Sequence, residues 1–511
     1  MNILWQANID AEKPACINAD SGQWLSYRTL DERANQGAHL LRRLGLERGA
    51  VIATLLLNCS EIFEIAWATQ RSGLYLTTIS TKLTPADIRY IIDDSGAQVL
   101  IASDRLAALA SAALKGASRV KGFLTDTAAE EFASWRVERS AHPTAPVSDA
   151  SPGADMLYSS GTTGRPKGVK PPLPEGAIDA PTPLMRMGQT LYGMGPRTIY
   201  LSTSPLYHAA PLRWAMAIQG LGGSVIFTEQ FDAQQCLALI EKHRVTHATF
   251  VPTHFIRLLK LPAAIRGGAD HSTLEAVVHA AAPCPVPIKR AMIDWWGPIV
   301  HEYYSGTEMC GITALSAKEW LQKPGSVGRS VLGVVKITND SGDELPVGEV
   351  GNVYFADGPR FEYHNDPDKT RAAHDHHGWA TLGDIGRVDR DGYLFLTDRK
   401  HFMIISGGVN IYPQEIENLI ITHPKVADVA VIGAPDDEMG EKVVAVVQPL
   451  DWSDAGSAFA EELRTFTRDS LGSVKCPRQF DFRKTLPREP TGKLMKRLLW
   501  QEYGKSAPGS A

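Results

Sequence analysis

The chain has 511 residues and a formal net charge of −5, and 44% of its residues are hydrophobic and 21% charged. This length predicts two to four domains, and the ordinary composition excludes a wholly disordered, collagen-like or coiled-coil protein. The small acidic excess gives no general attraction to nucleic acid, so no nucleic-acid partner is expected.

The six cysteines are scattered and form no CxxC pair. This spacing favours a reduced compartment over a disulfide framework. The first residues carry neither a basic segment nor a sustained apolar run, and no stretch approaches the roughly 18 apolar residues of a membrane span. We therefore expect a cytoplasmic protein with no integral membrane association.

Helix and strand signals alternate through the first 150 residues. An amphipathic helix is predicted over 29–46, with Thr29 and Glu32 as a capping box, and apolar runs at 51–57 and 98–102 predict buried strands. Such alternation is typical of a mostly parallel α/β sheet. Further predictions are a helix at 62–70, an irregular loop at 170–183, strands at 198–202, 224–228 and 248–251, and a helix at 233–243.

The character of the sequence changes near Asp398. A Gly-Gly loop, a helix at 413–422, strands at 426–432 and 442–447, a polar helix at 461–469 and a basic tail follow. About 110 residues suffice for a small α+β domain. We expect a first domain over 1–397, a hinge at 398–401 and a second domain over 402–511.

The strongest local signal is the segment 158–168, YSSGTTGRPKG. Its glycines let the backbone approach an anion closely, its hydroxyls and N–H groups donate to phosphate oxygens, and its lysine supplies charge. Pro166 stands where a Walker A loop needs its second glycine, so that loop is excluded. A flexible surface turn is the alternative, but it would require neither the hydroxyl cluster nor the Pro-Lys-Gly ending.

This segment resembles the phosphate loop of the AMP-forming acyl-CoA synthetases, which are adenylate-forming enzymes related to luciferase and to the adenylation domains of peptide synthetases. Four other segments match further motifs of that family in the family's order. The resemblance covers roughly residues 10–500. The loop residues that it assigns to ATP are Ser159, Ser160, Gly161, Thr162, Thr163, Gly164 and Lys167.

The segment YSGTE at 304–308 is similar to the family's second nucleotide motif. By resemblance, Tyr304 stacks on adenine, Thr307 contacts phosphate and Glu308 holds Mg²⁺, with Thr163 as a second metal ligand. A carboxylate beside a triphosphate suits a metal that keeps several waters.

Two further segments are similar to the ribose motif and to the hinge. By resemblance, Asp384 accepts the ribose hydroxyls and Arg399 contacts the ribose, while Gly407 and Gly408 leave room for the pantetheine arm of coenzyme A. A hairpin whose glycines only form a tight turn is the alternative for the last pair. His401 stands where the family usually has Asp or Lys at the hinge.

The last motif is PREPTGK at 487–493, in which Lys493 is expected to bridge the acid's carboxylate and the α-phosphate. His208 resembles the family's histidine beside the acyl site, with a structural histidine as the alternative. Ala282 lies in the segment that corresponds to the adenine loop, although its Ala-rich form departs from the commoner Gly-Gly-Ala.

The cluster HDHH at 374–377 invites comparison with metal sites. It has neither the HExxH pattern nor paired-ligand spacing. A solvated loop is the favoured interpretation.

The resemblance implies an α/β fold with a large N-terminal domain of layered, mostly parallel sheets and a small mobile α+β C-terminal lid. It implies ATP-dependent ligation of a carboxylic acid to coenzyme A through an acyl-adenylate, with Mg²⁺ and with release of AMP and pyrophosphate. The oligomeric state is left open, with a homodimer as the candidate.

The residues leave a fatty acid and an arylpropenoic acid equally open as the substrate. Small residues at 280–282 and at 311 predict a deep or wide acyl pocket. The alternatives are three other uses of the fold: transfer to a carrier protein, luciferase-like use of the adenylate, and nucleotide binding without catalysis. The pocket candidates are Trp214, His254, Ala281, Met309 and Gly311.

Overall fold

The computed structural model describes residues 9–117, 119–129, 131–159, 166–488 and 494–504. The first part of the chain alternates strands and helices, as the hydrophobic pattern predicts. The elements in chain order are β1 (Pro14–Asn18), β2 (Trp24–Ser26), α1 (Tyr27–Arg43), β3 (Val51–Leu55), α2 (Glu61–Gln70), β4 (Tyr75–Thr78), α3 (Pro85–Ser95), β5 (Ala97–Ala102), α4 (Ala107–Leu114), β6 (Lys121–Leu124), β7 (Ala133–Ser134), α5 (Trp135–Ser140), β8 (Ala154–Asp155) and β9 (Leu157–Ser159).

Six of these strands form one sheet in the order β7-β6-β5-β3-β4-β8. All of its described pairings are parallel, which confirms the predicted sheet type. The capping box predicted at Thr29 is wrong. Helix α1 begins at Tyr27, because the Ser26 hydroxyl accepts the backbone N–H of Thr29 at 3.1 Å and caps the helix three residues earlier.

The middle of the chain builds a second, larger sheet. The predicted helix at 233–243 is confirmed, and the loop predicted at 170–183 joins a strand that ends at Lys170 to a helix that begins at Pro183. The elements are β10 (Lys167–Lys170), α6 (Pro183–Tyr192), β11 (Ile199–Ser202), α7 (Ala209–Gly220), β12 (Ser224–Phe227), α8 (Ala233–His243), β13 (His247–Phe250), α9 (Pro252–Leu259), α10 (Ala263–Gly268), β14 (Ala276–His279), α11 (Val286–Trp296), β15 (Val300–Tyr304), β16 (Ile312–Leu315), α12 (Ala317–Gln322) and β17 (Arg329–Leu332).

The strands of this sheet lie in the order β17-β16-β15-β14-β13-β11-β12-β1-β2. The run from β15 to β1 is parallel, and the pairings at both edges are antiparallel. The carboxyl ends of parallel strands share one edge of a sheet, where ligands of α/β proteins usually bind. β15 therefore delivers the 304–308 segment to that edge.

Buried helices lie between the two parallel sheets. The indole N–H of Trp67 on α2 donates to the Gln219 side chain on α7 at 2.7 Å, and both residues are buried. The Tyr27 hydroxyl on α1 donates to the Gly223 carbonyl beside β12 at 2.7 Å. These hydrogen bonds offset the cost of burying the indole N–H of Trp67 and the hydroxyl of Tyr27 in an apolar core.

The last part of the chain forms two smaller sheets. The basic tail was not predicted to be helical, and it contains the last helix described. The elements are β18 (Val334–Thr338), β19 (Gly351–Ala356), β20 (Glu362–Tyr363), α13 (Pro367–Ala372), β21 (Ala380–Val388), β22 (Leu394–Arg399), β23 (Ile404–Ser406), β24 (Val409–Ile411), α14 (Pro413–Ile420), β25 (Val426–Asp436), β26 (Gly440–Pro449), α15 (Ser457–Lys475), β27 (Gln479–Phe482) and α16 (Lys496–Glu502).

Strands β18, β19, β21 and β22 make an antiparallel sheet, and β20, β10 and β9 make a small one. The C-terminal sheet has the order β24-β23-β26-β25, with β27 parallel to β26. β22 ends at Arg399 and a 3₁₀ turn covers Lys400–Phe402. The predicted hinge therefore lies between two sheets, and its movement stays a prediction.

The C-terminal sheet also contacts the large N-terminal part. Ile256 on α9 packs into the apolar cluster that contains Ile404 and Val426, and the Lys260 ammonium donates to the Val426 carbonyl. Across the described ranges, no helix combines the length and the apolar character needed to cross a membrane.

Candidate active site

A hydrogen-bonded group of three side chains lies at the edge where β15 ends. The Tyr304 hydroxyl donates to Oδ2 of Asp384 at 2.6 Å, and Nε of Arg399 lies 3.2 Å from Oδ1 of the same carboxylate. Asp384 and Arg399 are directly opposite each other on β21 and β22, so the sheet register itself makes their ion pair. Three residues that the sequence assigned separately to the nucleotide therefore meet at one carboxylate.

The charges around this carboxylate shift its neighbours. Burial, reinforced by the Asp384 carboxylate, raises the pKa of Tyr304 well above its ordinary value. The same carboxylate raises the pKa of Arg399. Tyr304 is therefore a permanent donor and Arg399 a permanent cation over the physiological range. A carboxylate has about four acceptor positions, so Asp384 can accept further hydroxyls beside these two partners.

Glu308 has its own partner, which the sequence analysis missed. The Tyr363 hydroxyl on β20 donates to Oε1 of Glu308 at 2.8 Å. The Lys167 ammonium lies 5.0 Å from the centre of the Tyr363 ring, a cation–π distance. The carboxylate of the second motif and the lysine of the phosphate loop are thus joined through one tyrosine that no motif marks.

Lys167 is held in a partly buried, electropositive place. Burial, and then the charge of Lys369, lower the pKa of Lys167. Desolvation also lowers the pKa of His401, and the charges of Lys167 and Arg399 lower it further. The predicted hinge residue is therefore electrostatically coupled to the phosphate-loop lysine and to the cation beside Asp384.

Arg213 on α7 ties the motifs together and was also missed. Its Nε lies 2.6 Å from Oδ2 of Asp155, just before β9, and its Nη1 donates to the Thr307 carbonyl at 3.1 Å. One side chain thus fixes the strand that enters the phosphate loop and the turn that carries Glu308. A lone arginine in an apolar helix carries no sequence signal for this role.

The described ends of the phosphate loop form an antiparallel pair. Ser159 lies opposite Lys167, and Tyr158 opposite Gly168. A Cβ at position 168 would lie 2.8 Å from the Tyr158 ring, so this glycine is required by packing as well as by any ligand. The assigned residues that lie outside the described ranges are Ser160, Gly161, Thr162, Thr163, Gly164 and Lys493.

The sequence-based reason for a wide acyl pocket is partly wrong. Gly311 does not open a pocket: a Cβ there would lie 2.0 Å from the Phe355 ring, so Phe355 requires a glycine. Trp214 is 1% exposed and donates to the Tyr303 hydroxyl at 3.2 Å. His254 is buried and stacks on Phe231 at 3.9 Å.

Two other pocket candidates have unusual backbone. Ala281 and Met309 both have positive φ, 75° and 55°. Left-handed backbone costs an alanine on the order of 1 kcal/mol, and such strain is often found at ligand sites. Ala282 follows this point and is half-buried.

The remaining assigned residues occupy turns and helix ends. His208 is the N-cap residue of α7, and its ring lies 4.6 Å from the Tyr207 ring. Gly407 and Gly408 form the turn between β23 and β24, with φ of 55° and 78°. The tight-turn alternative therefore holds for their conformation, and it does not exclude a contact with a ligand.

A buried ion network supports the strand ends beneath the site. Nζ of Lys289, which is fully buried, lies 2.5 Å from Oε2 of Glu302 on β15, and Nε2 of His279 on β14 lies 3.3 Å from the same oxygen. Burial opposes ionisation of Glu302, but the Lys289 ammonium keeps its pKa well below the ordinary value. A buried pair of this kind orients its strands more than it stabilises them.

Comparison with known proteins identifies the family. The model of the AMP-binding enzymes matches residues 3–360, and the model of the AMP-binding enzyme C-terminal domain matches residues 415–493. The chain belongs to the AMP-binding enzyme family. Its mixed α/β fold, with a large N-terminal and a small C-terminal part, is that of an adenylate-forming ligase.

Relatives extend along the whole chain. Long-chain-fatty-acid–CoA ligase FadD13 of Mycobacterium tuberculosis is 31% identical over 99% of both chains. Fatty acid–[acyl-carrier-protein] ligase ScoC of Streptomyces coeruleorubidus is 32% identical over 95% of this chain and 93% of its own. ATP-bound MatB of Rhodopseudomonas palustris, 26% identical, superposes with a TM-score of 0.84 over 98% of both chains. Apo MatB of the same organism superposes with a TM-score of 0.73, also over 98% of both chains.

Proposed function

We propose that this adenylate-forming ligase joins a medium- or long-chain fatty acid, or a bulky aryl acid, to coenzyme A. The acid's carboxylate attacks the α-phosphorus of ATP, forming the acyl phosphate bond as pyrophosphate leaves. The thiolate of coenzyme A then attacks the acyl carbon, and AMP leaves with the former carboxylate oxygen. Adenylation is needed because a free carboxylate is a poor acyl donor.

The observation that carries this proposal is the meeting of Tyr304, Asp384 and Arg399 at one carboxylate, beside Glu308 and Lys167. In the proposed complex, Asp384 accepts the ribose hydroxyls while Tyr304 and Arg399 hold it in place. The Tyr304 ring would stack on adenine. Positioning and charge stabilisation account for catalysis, so no covalent intermediate with the protein is needed.

The residues near the phosphate loop fit a magnesium ion bound with ATP. One oxygen of Glu308 accepts the Tyr363 hydroxyl, which leaves the other available to a hard cation. Glu308 and Thr163 would hold the ion, which would neutralise charge on the triphosphate. Thr307 would contact the phosphate, and Lys167 and the loop residues 159–164 would bind its remaining oxygens.

Lys493 is proposed to lie between the attacking carboxylate and the α-phosphate during adenylation. A hinge movement at 398–401 would then withdraw it and bring Gly407 and Gly408 toward the pantetheine arm. The better superposition on ATP-bound than on apo MatB supports assigning the present arrangement to the adenylating pose. His208 is proposed to lie beside the acyl group, and Ala282 beside adenine.

The activity of FadD13 as a long-chain-fatty-acid–CoA ligase supports a long-chain fatty acid, since that relative matches 99% of this chain. The activity of ScoC as a fatty acid–[acyl-carrier-protein] ligase supports a second candidate, which is delivery of the acyl group to a carrier protein. Both reactions share the adenylate. The nature of the accepting thiol separates them.

The test is pyrophosphate release over a panel of acids, from acetate through C8 to C18 fatty acids and arylpropenoic acids. Each acid is assayed alone, with coenzyme A, and with a phosphopantetheinylated carrier protein, and products are identified by mass spectrometry. We expect acid-dependent pyrophosphate release with an acyl-CoA product. Acyl transfer only to the carrier would establish the second candidate, and release with no acid would contradict both.

A further inference from the structure

A turn outside the nucleotide site gathers three metal-ligating side chains. It joins α13 to β21 and contains Asp375, His376 and His377. One carboxylate oxygen of Asp375 and one ring nitrogen of each histidine all lie within 4.8 Å of one another. The sequence alone favours a solvated loop here, because the segment has neither the HExxH pattern nor paired-ligand spacing. The fold nevertheless brings their ligand atoms together.

The carboxylate of Asp375 is fixed by the turn itself. Its Oδ1 accepts the backbone N–H groups of His377 at 2.9 Å and of Trp379 at 2.8 Å, and its backbone carbonyl accepts the N–H of Gly378 at 3.0 Å. Its Oδ2 is buried and makes no hydrogen bond to any described residue. A buried carboxylate oxygen without a partner is costly, and a cation beside it would remove that cost.

The two imidazoles are also restricted. Their ring centres lie 3.8 Å apart, and the His377 ring stacks on Trp379 at 4.5 Å. His376 packs so closely over Gly342 that a Cβ there would lie 2.7 Å from its Cε1. Because stacking and packing limit both rings, little side-chain entropy remains to be lost when a ligand binds.

The donor set selects the class of metal. Two imidazoles and one carboxylate suit Zn²⁺, Ni²⁺, Cu²⁺ and Co²⁺, whereas Mg²⁺ prefers oxygen ligands alone. The Lys336 ammonium lies 5.2 Å from the centre of the Trp379 ring and is itself paired with Glu344 at 2.9 Å. Its charge is therefore partly neutralised.

We propose that Asp375, His376 and His377 form a surface site for one divalent transition metal of the zinc class. This site is separate from the magnesium ion assigned to the triphosphate. Both histidines are exposed, so the remaining coordination positions would be taken by water. The proposal does not depend on the identity of the acid or of the accepting thiol.

The test is isothermal titration of the tag-free, full-length protein with zinc chloride after removal of trace metals. The wild-type protein is expected to bind one Zn²⁺ at this turn. His376→Asn and His377→Asn should each weaken that binding about tenfold or more. Asp375→Asn should do the same while preserving the turn, because its amide oxygen can still accept the two backbone N–H groups.

His374→Asn is the matched control. His374 lies in the same turn, but its Nδ1 is within 2.8 Å of the Thr370 carbonyl and outside the cluster. This variant should bind Zn²⁺ like the wild type, and all four variants should retain acid-dependent pyrophosphate release. Absence of Zn²⁺ binding by the wild type, unchanged binding in the His376→Asn/His377→Asn double variant, or an equal loss in His374→Asn would overturn the proposal.

Discussion

The Tyr304 hydroxyl lies 2.6 Å from Oδ2 of Asp384, although the two residues are 80 positions apart in the chain. Their motifs suggest that Tyr304 contacts adenine and that Asp384 contacts ribose, with no contact between the two side chains. The structure instead makes the tyrosine a partner of the carboxylate. The hydroxyl therefore orients Asp384, and the ring stacks on Phe355 with its centre 6.1 Å away.

Tyr304→Phe tests this relationship. The ring is kept, but Asp384 loses a charge-assisted hydrogen bond, which is worth about 1.5–3 kcal/mol. We expect KM for ATP to rise by about tenfold or more, with a smaller change in kcat. Tyr303→Phe is the control, since its hydroxyl accepts from Trp214 and not from the site. An unchanged KM for ATP in Tyr304→Phe would remove the hydroxyl from nucleotide binding.

Gly408→Leu tests the proposed route of coenzyme A. Gly408 has φ of 78°, and no described atom lies within 4 Å of its Cβ position. The Cβ of a leucine there meets no neighbouring atom, although the positive φ strains the backbone of any residue with a side chain. We expect slower transfer of the acyl group to coenzyme A and near-normal adenylate formation.

Gly472→Leu is the matched control for that strain, because Gly472 has φ of 77° and the same open surroundings. Both variants should lose a similar amount of thermal stability. Only Gly408→Leu should slow thioester formation. If the two variants form the thioester at the same rate, Gly408 serves only the turn and not the route of coenzyme A.

His401→Pro tests the hinge. His401 lies in a 3₁₀ turn, whose usual φ is close to the value of about −65° that proline imposes. Proline should therefore be compatible with the present pose and oppose rotation away from it. We expect pyrophosphate release to be retained and thioester formation to slow. If both half-reactions of the variant run at wild-type rates, the rotation does not occur at this residue.

His254→Phe tests a pH effect. Burial lowers the pKa of His254 to about 3, whereas an unfolded histidine titrates near 6.5. The unfolded chain therefore binds a proton that the folded chain refuses, so stability is full above pH 6.5 and is lost as the pH falls. This group alone accounts for about 2 kcal/mol of unfolding free energy between pH 7 and pH 5.

Phenylalanine should fit the stack on Phe231 and abolish that dependence. Urea unfolding at pH 7 and pH 5 measures it. The variant should lose about 2 kcal/mol less than the wild type between the two pH values. An identical loss in the two proteins would mean that His254 accepts a proton in the folded state.

The features predicted correctly from the sequence are those that depend on local residue patterns. The alternation of apolar runs predicted the parallel sheets, and the glycine-rich segments predicted turns. Asp384 and Arg399 are close in the chain and lie opposite each other in one hairpin, so their motifs already bring them near each other.

What the sequence did not predict depends on contacts between distant segments. Tyr363 reaches Glu308 from a two-residue strand with no motif, and Arg213 links Asp155 to the Thr307 carbonyl. The sequence suggests that Gly311 leaves space for the acyl group. In the structure, the ring of Phe355 on β19 packs against Gly311 and leaves no room for a Cβ. Pairings of this kind are fixed only when the sheets assemble, so no spacing in the chain reveals them.

The most direct test of the account is the behaviour of Lys493→Ala in the two half-reactions. Lys493 is expected to lie between two anions during adenylation, and losing one preorganised donor typically costs on the order of 10²–10³ in rate. Pyrophosphate release from acid and ATP should therefore nearly stop. Synthetic acyl-AMP and coenzyme A should still give thioester at close to the wild-type rate. Normal pyrophosphate release, or an equal loss of both half-reactions, would contradict the account.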